Sequence, residues 1–213
     1  MENRMQPGDI VRHFKGNKYE KMFLVALFTG IREGEVCGLQ WECVDFDNGT
    51  ILIDKQLQSL RGKVRGDKEK YTLVPTKNGK ERTITAAPFV MDLLWKTKQA
   101  QDTNRKDFGS DFMENGLVFT DEIGNRVTPQ ALYRAFKLVV TELNMKDVRF
   151  HDLRHTFATH ALTGGVDAKT LSRILGHTNA SFTLDTYTHV TTDMQKRASG
   201  IVGGFMEDLI IKE

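Results

Sequence analysis

The chain has 213 residues, of which 39% are hydrophobic and 27% are charged, a composition typical of a folded globular protein. Its longest apolar run, residues 22–28, is far shorter than the roughly 20 residues that a membrane-spanning helix needs, and the first seven residues lack the apolar core of a signal peptide. Two cysteines, Cys37 and Cys43, exclude a disulfide scaffold and a four-cysteine metal site. These features predict a cytoplasmic protein.

Positive charge is concentrated in one segment. The formal net charge is +2, but residues 61–82 carry +5, which leaves −3 for the rest of the chain. The cations of this segment are Arg61, Lys63, Arg65, Lys68, Lys70, Lys77, Lys80 and Arg82, against Asp67, Glu69 and Glu81. A basic segment on a near-neutral body fits a contact with phosphate groups. A solvated hairpin tip explains the same charges, and charge alone favours that simpler interpretation.

The first half of the chain is expected to contain a polar tail, two helices and a sheet. Residues 1–17 are polar and are predicted to form a tail or linker stub. Apolar residues then recur at helical spacing over 18–29, and Gly30 ends that helix. A short second helix is predicted through 36–39.

A small antiparallel sheet is expected next, with the basic segment on its connections. The predicted strands are 51–53, 71–74 and 83–85, and the turn pairs are Asn48-Gly49 and Asn78-Gly79. The pattern predicts a sheet of three strands.

The second half is predicted to be helical. A helix follows Pro88, a polar loop covers residues 102–116, and Thr128-Pro129 is an N-cap followed by a proline that opens a helix to about Leu143. Further helices are predicted at 151–162, at 167–176 with Asp167 as its cap and Gly176 at its end, and at 179–187. The fold class is therefore α+β, a mostly helical domain with one small sheet.

Five of the six histidines lie between residues 151 and 189. His151 and His155 are one helical turn apart, with Asp152 between them, which is also the ligand spacing of a zinc-protease helix. A zinc hydrolase is therefore one hypothesis. Arg154 places a fixed positive charge beside the proposed ligands, and aspartate is shorter than the usual glutamate base. A partly buried, structural His155 is the favoured interpretation.

His151 and Arg154 form a second candidate pair, because residues three apart on a helix can reach one cleft. A guanidinium is a planar fork suited to phosphate oxygens, and an imidazole can donate a hydrogen bond or exchange a proton. Phosphoryl transfer needs such groups, since negative charge builds on the non-bridging oxygens in its transition state.

Four motifs occur in an order that resembles a known family. They are Thr29-Gly30-Ile31-Arg32-Glu33-Gly34-Glu35, His151-Asp152-Leu153-Arg154-His155, Leu175-Gly176-His177 and Thr186-Tyr187-Thr188-His189. Together they resemble the catalytic domain of tyrosine recombinases, the phage-integrase family, over residues 18–196. The strand at 56–58 and the long basic insertion after it are most similar to integrases of conjugative transposons. The resemblance implies the DNA breaking-rejoining fold and a DNA integrase that moves a mobile element.

The resemblance also implies roles for individual residues. The catalytic set would be Arg32, Lys77, His151, Arg154, His177 and Tyr187, with Lys80 as a competitor for the position of Lys77. Glu35 matches an acidic position that supports the first arginine or its helix. His13, His160 and His189 are interpreted as structural, and Trp41 and Trp95 as packing residues.

The implied reaction needs neither a metal nor another cofactor. Only about 0.1% of a free tyrosine is ionised at pH 7, so Tyr187 needs a base, and His151 is the candidate. Arg32 and Arg154 would hold the two non-bridging oxygens, with His177 as a further donor. Lys77 would protonate the departing 5′ oxygen. The product would be a 3′-phosphotyrosyl bond that another strand's 5′ hydroxyl can reverse.

Three alternatives stay open from the sequence. Besides the zinc hydrolase, they are a type IB topoisomerase-like enzyme, which would use similar chemistry, and a catalytically inactive DNA-binding relative. Each of these residues, taken alone, also has a simpler explanation. Either arginine could form a surface ion pair, and Tyr187 could be a packed aromatic residue.

The resemblance also implies partners. Double-stranded DNA would be bound, together with further copies of the chain in a synaptic tetramer and accessory DNA-bending or directionality factors. Residues 197–213 carry a short apolar helix pattern that would dock either in a neighbouring protomer or on its own core. Members of this family usually carry an N-terminal helical domain, for which residues 1–17 are too few. We therefore expect a catalytic fragment or a short relative that binds DNA weakly alone.

Overall fold

The computed structural model describes residues 7–60, 71–77, 79–177 and 199. Two compact units are present, residues 1–157 and residues 158–213, and the division between them falls inside one helix. The helices are α1 (Pro7–Phe14), α2 (Glu20–Thr29), α3 (Glu33–Gly38), α4 (Pro88–Phe108), α5 (Pro129–Glu142), α6 (His151–Thr163) and α7 (Ala168–Leu175). The strands are β1 (Val44–Asp45), β2 (Thr50–Ile53), β3 (Lys55–Ser59), β4 (Tyr71–Pro75) and β5 (Arg82–Thr85). None of the helices in these ranges has the length and apolar character of a membrane span.

The predicted α+β class is confirmed, with one small antiparallel sheet of three strands, but the membership of the sheet differs from the prediction. Its strand order is β1-β2-β5, with Ile51 opposite both Val44 and Ile84. Strand β4, predicted to belong to this sheet, pairs instead with β3 in a separate two-stranded ribbon, where Leu57 faces Leu73. The ribbon's strands are joined by the residues that carry most of the basic segment.

Helix α1 lies inside the segment 1–17 that was predicted to be a tail or linker stub. Its residue Phe14 is fully buried, with the ring centroid 4.8 Å from that of Phe23 on α2. Phe23 in turn packs edge-on against Phe136 of α5 at 5.8 Å, and Phe136 against Phe150 at 5.4 Å. The segment is polar on average, yet two of its apolar residues, Ile10 and Phe14, are one helical turn apart and both enter the core.

Helix α4 is longer than predicted and runs through part of the expected loop at 102–116. A buried polar residue, Gln101, ties the second half of this helix to other segments of the chain. The Gln101 side chain accepts a hydrogen bond from Trp41 Nε1 at 2.7 Å and donates to the carbonyl of Leu117 at 3.1 Å and to Thr120 Oγ1 at 2.9 Å. The other tryptophan, Trp95 on α4, packs edge-on against Phe46 with ring centroids 5.3 Å apart, although 48% of it is exposed.

The predicted caps of α5 and α7 are confirmed. Thr128 Oγ1 accepts a hydrogen bond from the N–H of Ala131 at 3.2 Å and caps α5. Asp167 accepts from the N–H groups of Lys169 and Thr170 and caps α7, which ends at Gly176. The helix predicted at 179–187 and the apolar C-terminal segment lie outside the described residues.

Helix α3 packs unusually close to strand β3, and a glycine permits the contact. A Cβ atom built on Gly38 would lie 2.7 Å from the backbone nitrogen of Leu57 and 2.9 Å from the carbonyl carbon of Gln56. Backbone atoms cannot rotate away as a side-chain end can. The glycine therefore sets how closely the ribbon approaches the helix that begins at the candidate site.

We expect Gly38→Ala to destabilise the protein by about 1–3 kcal/mol, the usual range for overpacking. In an isolated helix the same change stabilises by roughly 0.5–1 kcal/mol, because alanine is the better helix former. Denaturant unfolding of the two proteins therefore tests the sign of the effect. An increase in the free energy of unfolding would show that β3 does not restrict this position.

Candidate active site

The site is built around the short connection between α2 and α3. Helix α2 ends at Gly30, which adopts a left-handed conformation with φ of 68° that glycine accepts without strain. The carbonyl of Gly30 then accepts a hydrogen bond from Nη1 of Arg154 on α6 at 2.7 Å. Arg154 is only 3% exposed. A backbone carbonyl thus fixes the guanidinium of Arg154 next to the loop that carries Arg32.

Arg32 is held by a carboxylate that it shares with a second arginine. Its Nη1 donates to Glu35 Oε1 at 2.9 Å, and its backbone N–H donates to Glu35 Oε2 at 2.8 Å. Arg82 on β5 donates to the same two oxygens through Nη1 and Nη2 at 3.0 and 2.7 Å. The Glu35 side chain is fully buried, that of Arg82 is 9% exposed and that of Arg32 is 21% exposed. Of the two arginines, Arg32 is the more open to a ligand.

The electrostatics keep Glu35 ionised despite its burial. Burial by itself would raise the pKa of this carboxyl, but the hydrogen bonds and positive charge of Arg82, and then those of Arg32, outweigh it and lower the pKa to about 2. The expected supporting role of Glu35 therefore agrees with the structure. A buried carboxylate with two guanidiniums is fully hydrogen-bonded and charge-paired, as a buried charge must be.

Arg32, Arg154 and His151 line one cavity of about 170 Å³, together with Ile31, Glu33, Gly34 and Phe150. His151 is an exposed residue overall, but its ring is partly desolvated. This desolvation is the main reason why its pKa falls to about 4, and the positive charges of His155 and Arg154 add to the effect. The imidazole is therefore neutral at pH 7 and can accept a proton. The cavity combines two fixed cations with one neutral base.

The rings of His151 and His155 meet edge to face, with centroids 4.8 Å apart. Desolvation lowers the pKa of His155 as well. A structural zinc site takes four protein ligands and a catalytic one takes three. Among the residues that the structure describes, no group of three or more histidine, cysteine, aspartate or glutamate side chains is arranged to hold a metal ion.

Lys77 lies on the turn between β4 and β5 and is exposed. The turn is closed by a hydrogen bond from the N–H of Gly79 to the carbonyl of Thr76 at 2.8 Å, and Thr76 Oγ1 donates to the carbonyl of Lys80 at 2.6 Å. Strand β5 begins at Arg82, which binds Glu35. The Glu35 carboxylate therefore ties the strand after the Lys77 turn to the start of α3, where Arg32 lies.

The remaining predicted site residues are placed less fully. His177 lies in the second unit, directly after Gly176, and its N–H donates to the carbonyl of Ser172 at 3.0 Å. Tyr187 and His189 lie outside the described residues. Within the first unit the structure brings Arg32, His151 and Arg154 together at one cavity.

Sequence reasoning missed two residues at the site. Arg82 was counted only as one cation of the basic segment, although Ile84 on the same strand is buried and a period of two places Arg82 on the same face. Glu33 lines the cavity and has one buried oxygen, Oε1, without a hydrogen-bond partner. An acidic residue in the first turn of a helix is ordinary, so no sequence signal distinguishes Glu33.

Comparison with known proteins identifies the family. Residues 12–194 match the model of the phage integrase family, and the chain belongs to that family. It is 30% identical over 190 residues to the tyrosine recombinase XerC-like protein of Caldanaerobacter subterraneus. This alignment covers 86% of this chain and 49% of that protein. It is 27% identical over 203 residues to the integrase of Staphylococcus phage L54a, covering 92% of this chain and 56% of that protein.

Solved structures agree on the fold. The Tn1549 transposon integrase, in complex with transposon right end DNA, matches with a TM-score of 0.75 at 22% identity, covering 93% of this chain and 65% of that one. The XerA recombinase matches with a TM-score of 0.66 at 21% identity, covering 91% and 64%. The chain spans about half the length of the curated relatives that it matches.

We expect Glu35→Gln to lower the free energy of unfolding by about 3 kcal/mol at pH 7. The pKa of Glu35 is lower in the folded state than its ordinary value of 4.5, so its stabilisation is complete above pH 4.5 and is lost as pH falls towards 2. The deficit of the variant should therefore shrink to about 1 kcal/mol at pH 3. Urea unfolding of the variant and of the wild type between pH 3 and pH 7 measures this difference in the free energy of unfolding.

Glu122→Gln, at an exposed position, is the matched control and should follow the wild-type curve. A deficit for Glu35→Gln that stays constant from pH 7 to pH 3 would contradict the pairing of this carboxylate with the two arginines.

Proposed function

We propose that the chain is the catalytic domain of a tyrosine site-specific recombinase that cleaves and rejoins DNA strands through a 3′-phosphotyrosyl intermediate. The observation that carries the proposal is the convergence of Arg32, Arg154 and His151 on one cavity, in a chain of the phage integrase family. Two guanidiniums and an imidazole suit a phosphodiester, which presents two non-bridging oxygens and one negative charge.

The two arginines would stabilise the charge that develops on those oxygens. Arg154 is fixed by the Gly30 carbonyl and Arg32 by Glu35, so neither has to be reorganised when the phosphate enters. Donors held in this way are worth roughly 3–4 kcal/mol each in the transition state. His177 would add a further hydrogen bond, as the resemblance implies.

Tyr187 would attack phosphorus and His151 would take its proton. A base must be unprotonated before the reaction, and the lowered pKa of His151, about 4, meets that condition at pH 7. The negative charge of a bound phosphodiester would favour the protonated imidazole and so raise its basicity when the substrate is in place.

Lys77 would protonate the 5′ oxygen as it leaves. An exposed lysine on a turn can reach outward to a DNA strand, and the turn is tied through Arg82 and Glu35 to Arg32. Lys80, on the same turn, is the competing candidate. The energy of the cleaved phosphodiester would be kept in the tyrosyl bond, so the chemistry would need neither a nucleotide cofactor nor a metal.

The partners belong to the same proposal. Double-stranded DNA would be the substrate, and several copies of the chain would assemble on it as a synaptic tetramer, with exchange of the C-terminal tail and with accessory DNA-bending or directionality factors. The mobile element would be a conjugative transposon, in keeping with the strand at 56–58 and the basic insertion that follows it.

We expect wild-type protein to form a covalent adduct with a suicide DNA substrate that is nicked beside the cleavage point, since the short product strand diffuses away and religation stops. Tyr187→Phe should form none, because phenylalanine has no hydroxyl to attack phosphorus. Denaturing gel electrophoresis measures the adduct, with a chelator present and with a pool of duplexes from the ends of the element that carries the gene.

Tyr133→Phe is the control, since Tyr133 is exposed on α5 and should leave the adduct unchanged. An adduct in Tyr187→Phe would assign the nucleophile to another residue.

We expect Lys77→Ala to slow cleavage by about a hundredfold or more, the contribution of a general acid. A substrate with sulfur in place of the bridging 5′ oxygen should react with Lys77→Ala at nearly the wild-type rate, because a thiolate leaves without being protonated. Single-turnover cleavage of both substrates gives the ratio. Lys80→Ala should cleave both substrates at the wild-type rate. If the sulfur-containing substrate restored the rate of Lys80→Ala and not that of Lys77→Ala, the general acid would be Lys80.

A further inference from the structure

Glu33 is the one acidic side chain among the described residues that line the candidate cavity, where the proposed function places a phosphate anion. It is the first residue of α3, directly after Arg32. One of its oxygens, Oε1, is buried without a hydrogen-bond partner. An ionised carboxylate in this place would leave charge on an unsolvated oxygen and would repel the phosphate, which are two separate costs.

The surroundings of Glu33 offer little to offset the first cost. Desolvation raises the pKa of this carboxyl to about 7. The charged and titratable groups that line the cavity with it are Arg32, His151 and Arg154, and Cys37, one turn along α3, is close enough to respond to its charge. Arg32 is bonded to Glu35 and Arg154 to the Gly30 carbonyl.

Within the described ranges, the contacts that the other elements make with α3 are uncharged. Strand β3 faces the helix with Gln56 and Leu57, while its one cation, Lys55, is bonded to Gln40 and Glu42. The first residues of α5, Pro129 and Gln130, line a second cavity together with Gly34. Helix α2 has no ionisable residue after Lys21 at its far end.

A neutral carboxylic acid removes both costs. Its carbonyl oxygen can stay buried without a partner at a smaller penalty than a carboxylate oxygen, and its hydroxyl becomes a hydrogen-bond donor. A donor beside two guanidiniums is suited to an oxygen of the same anion.

We propose that Glu33 is a further substrate-binding residue, which enters the DNA complex as a neutral carboxylic acid and donates a hydrogen bond to an oxygen of the bound phosphodiester. If Glu33 is ionised in the free protein, its carboxylate therefore takes up a proton when the phosphate binds. The inference rests on the proposed function, because that function supplies the phosphate.

The first test uses the free protein. The pKa of Glu33 is raised on folding, so its neutral form contributes stability below the ordinary value of 4.5, and this stability is lost as pH rises to about 7. The free energy of unfolding of Glu33→Gln, relative to wild type, should therefore increase from pH 4.5 to pH 7 and stay constant above it. Glu122→Gln, an exposed control, should show no such trend. A flat difference for Glu33→Gln would overturn the inference.

The second test uses suicide-substrate cleavage from pH 6 to pH 8, at DNA concentrations below saturation, and compares variants at each pH. Glutamine is neutral and can donate, so Glu33→Gln should match wild type at pH 6 and exceed it about tenfold at pH 8, where about a tenth of wild type is neutral. Glu33→Ala is neutral but cannot donate, so it should fall below Glu33→Gln at every pH.

The outcomes separate the two proposals. A constant ratio of Glu33→Gln to wild type overturns the neutral-acid inference alone, and equal rates for Glu33→Ala and Glu33→Gln overturn the hydrogen bond. Absence of any adduct in wild type at every pH overturns the proposed function and, with it, the inference that depends on it.

Discussion

The buried carboxylate of Glu35 is the interaction on which the candidate site depends. One anion binds Arg32, three residues before it, and Arg82, 47 residues after it. Arg82 binds both carboxylate oxygens through its guanidinium, and Arg32 binds one through its guanidinium and the other through its backbone N–H. Because these oxygens have no access to solvent, the position of β5 fixes the position of the α3 N-terminus. Any displacement of that strand would break charge-assisted hydrogen bonds inside the protein, which is far more costly than breaking an exposed ion pair. The sheet therefore contributes to the site although it supplies no lining residue to the cavity.

The two arginines of the cavity are restrained in different ways, and the difference matters for phosphate binding. Arg154 donates to a backbone carbonyl, which helps to hold its guanidinium without cancelling its charge. Arg32 is bound to Glu35, whose single negative charge is shared with Arg82. Two cations around one anion leave net positive charge at this group, and Arg154 adds more. The site is thus preorganised for an anion, and its donors are already directed before the substrate enters.

The sequence allowed the caps of α5 and α7, the class of fold and the grouping of Arg32, His151 and Arg154 to be predicted, because caps and motifs are local or ordered along the chain. Strand pairing is not local: periodicity identified the strand at 71–74 but could not choose its partner, and β4 joined β3 rather than the three-stranded sheet. Helix α1 was missed because only Ile10 and Phe14 carry its burial. The hydrogen bonds between Arg82 and Glu35 were missed for the same reason as the strand pairing, because they join residues that are distant in sequence.

Glu33 and Glu35 show how one short helix can hold two carboxyl groups in opposite states. They are two residues apart and so point to different sides of α3. Glu35 is buried among guanidiniums, which lower its pKa to about 2, whereas Glu33 is desolvated without such partners and its pKa rises to about 7. The first is a permanent anion that orients a cation, and the second can be neutral where a phosphate would approach. Environment, and not residue type, therefore sets the two glutamates of one short helix in different protonation ranges, and only Glu33 lines the cavity.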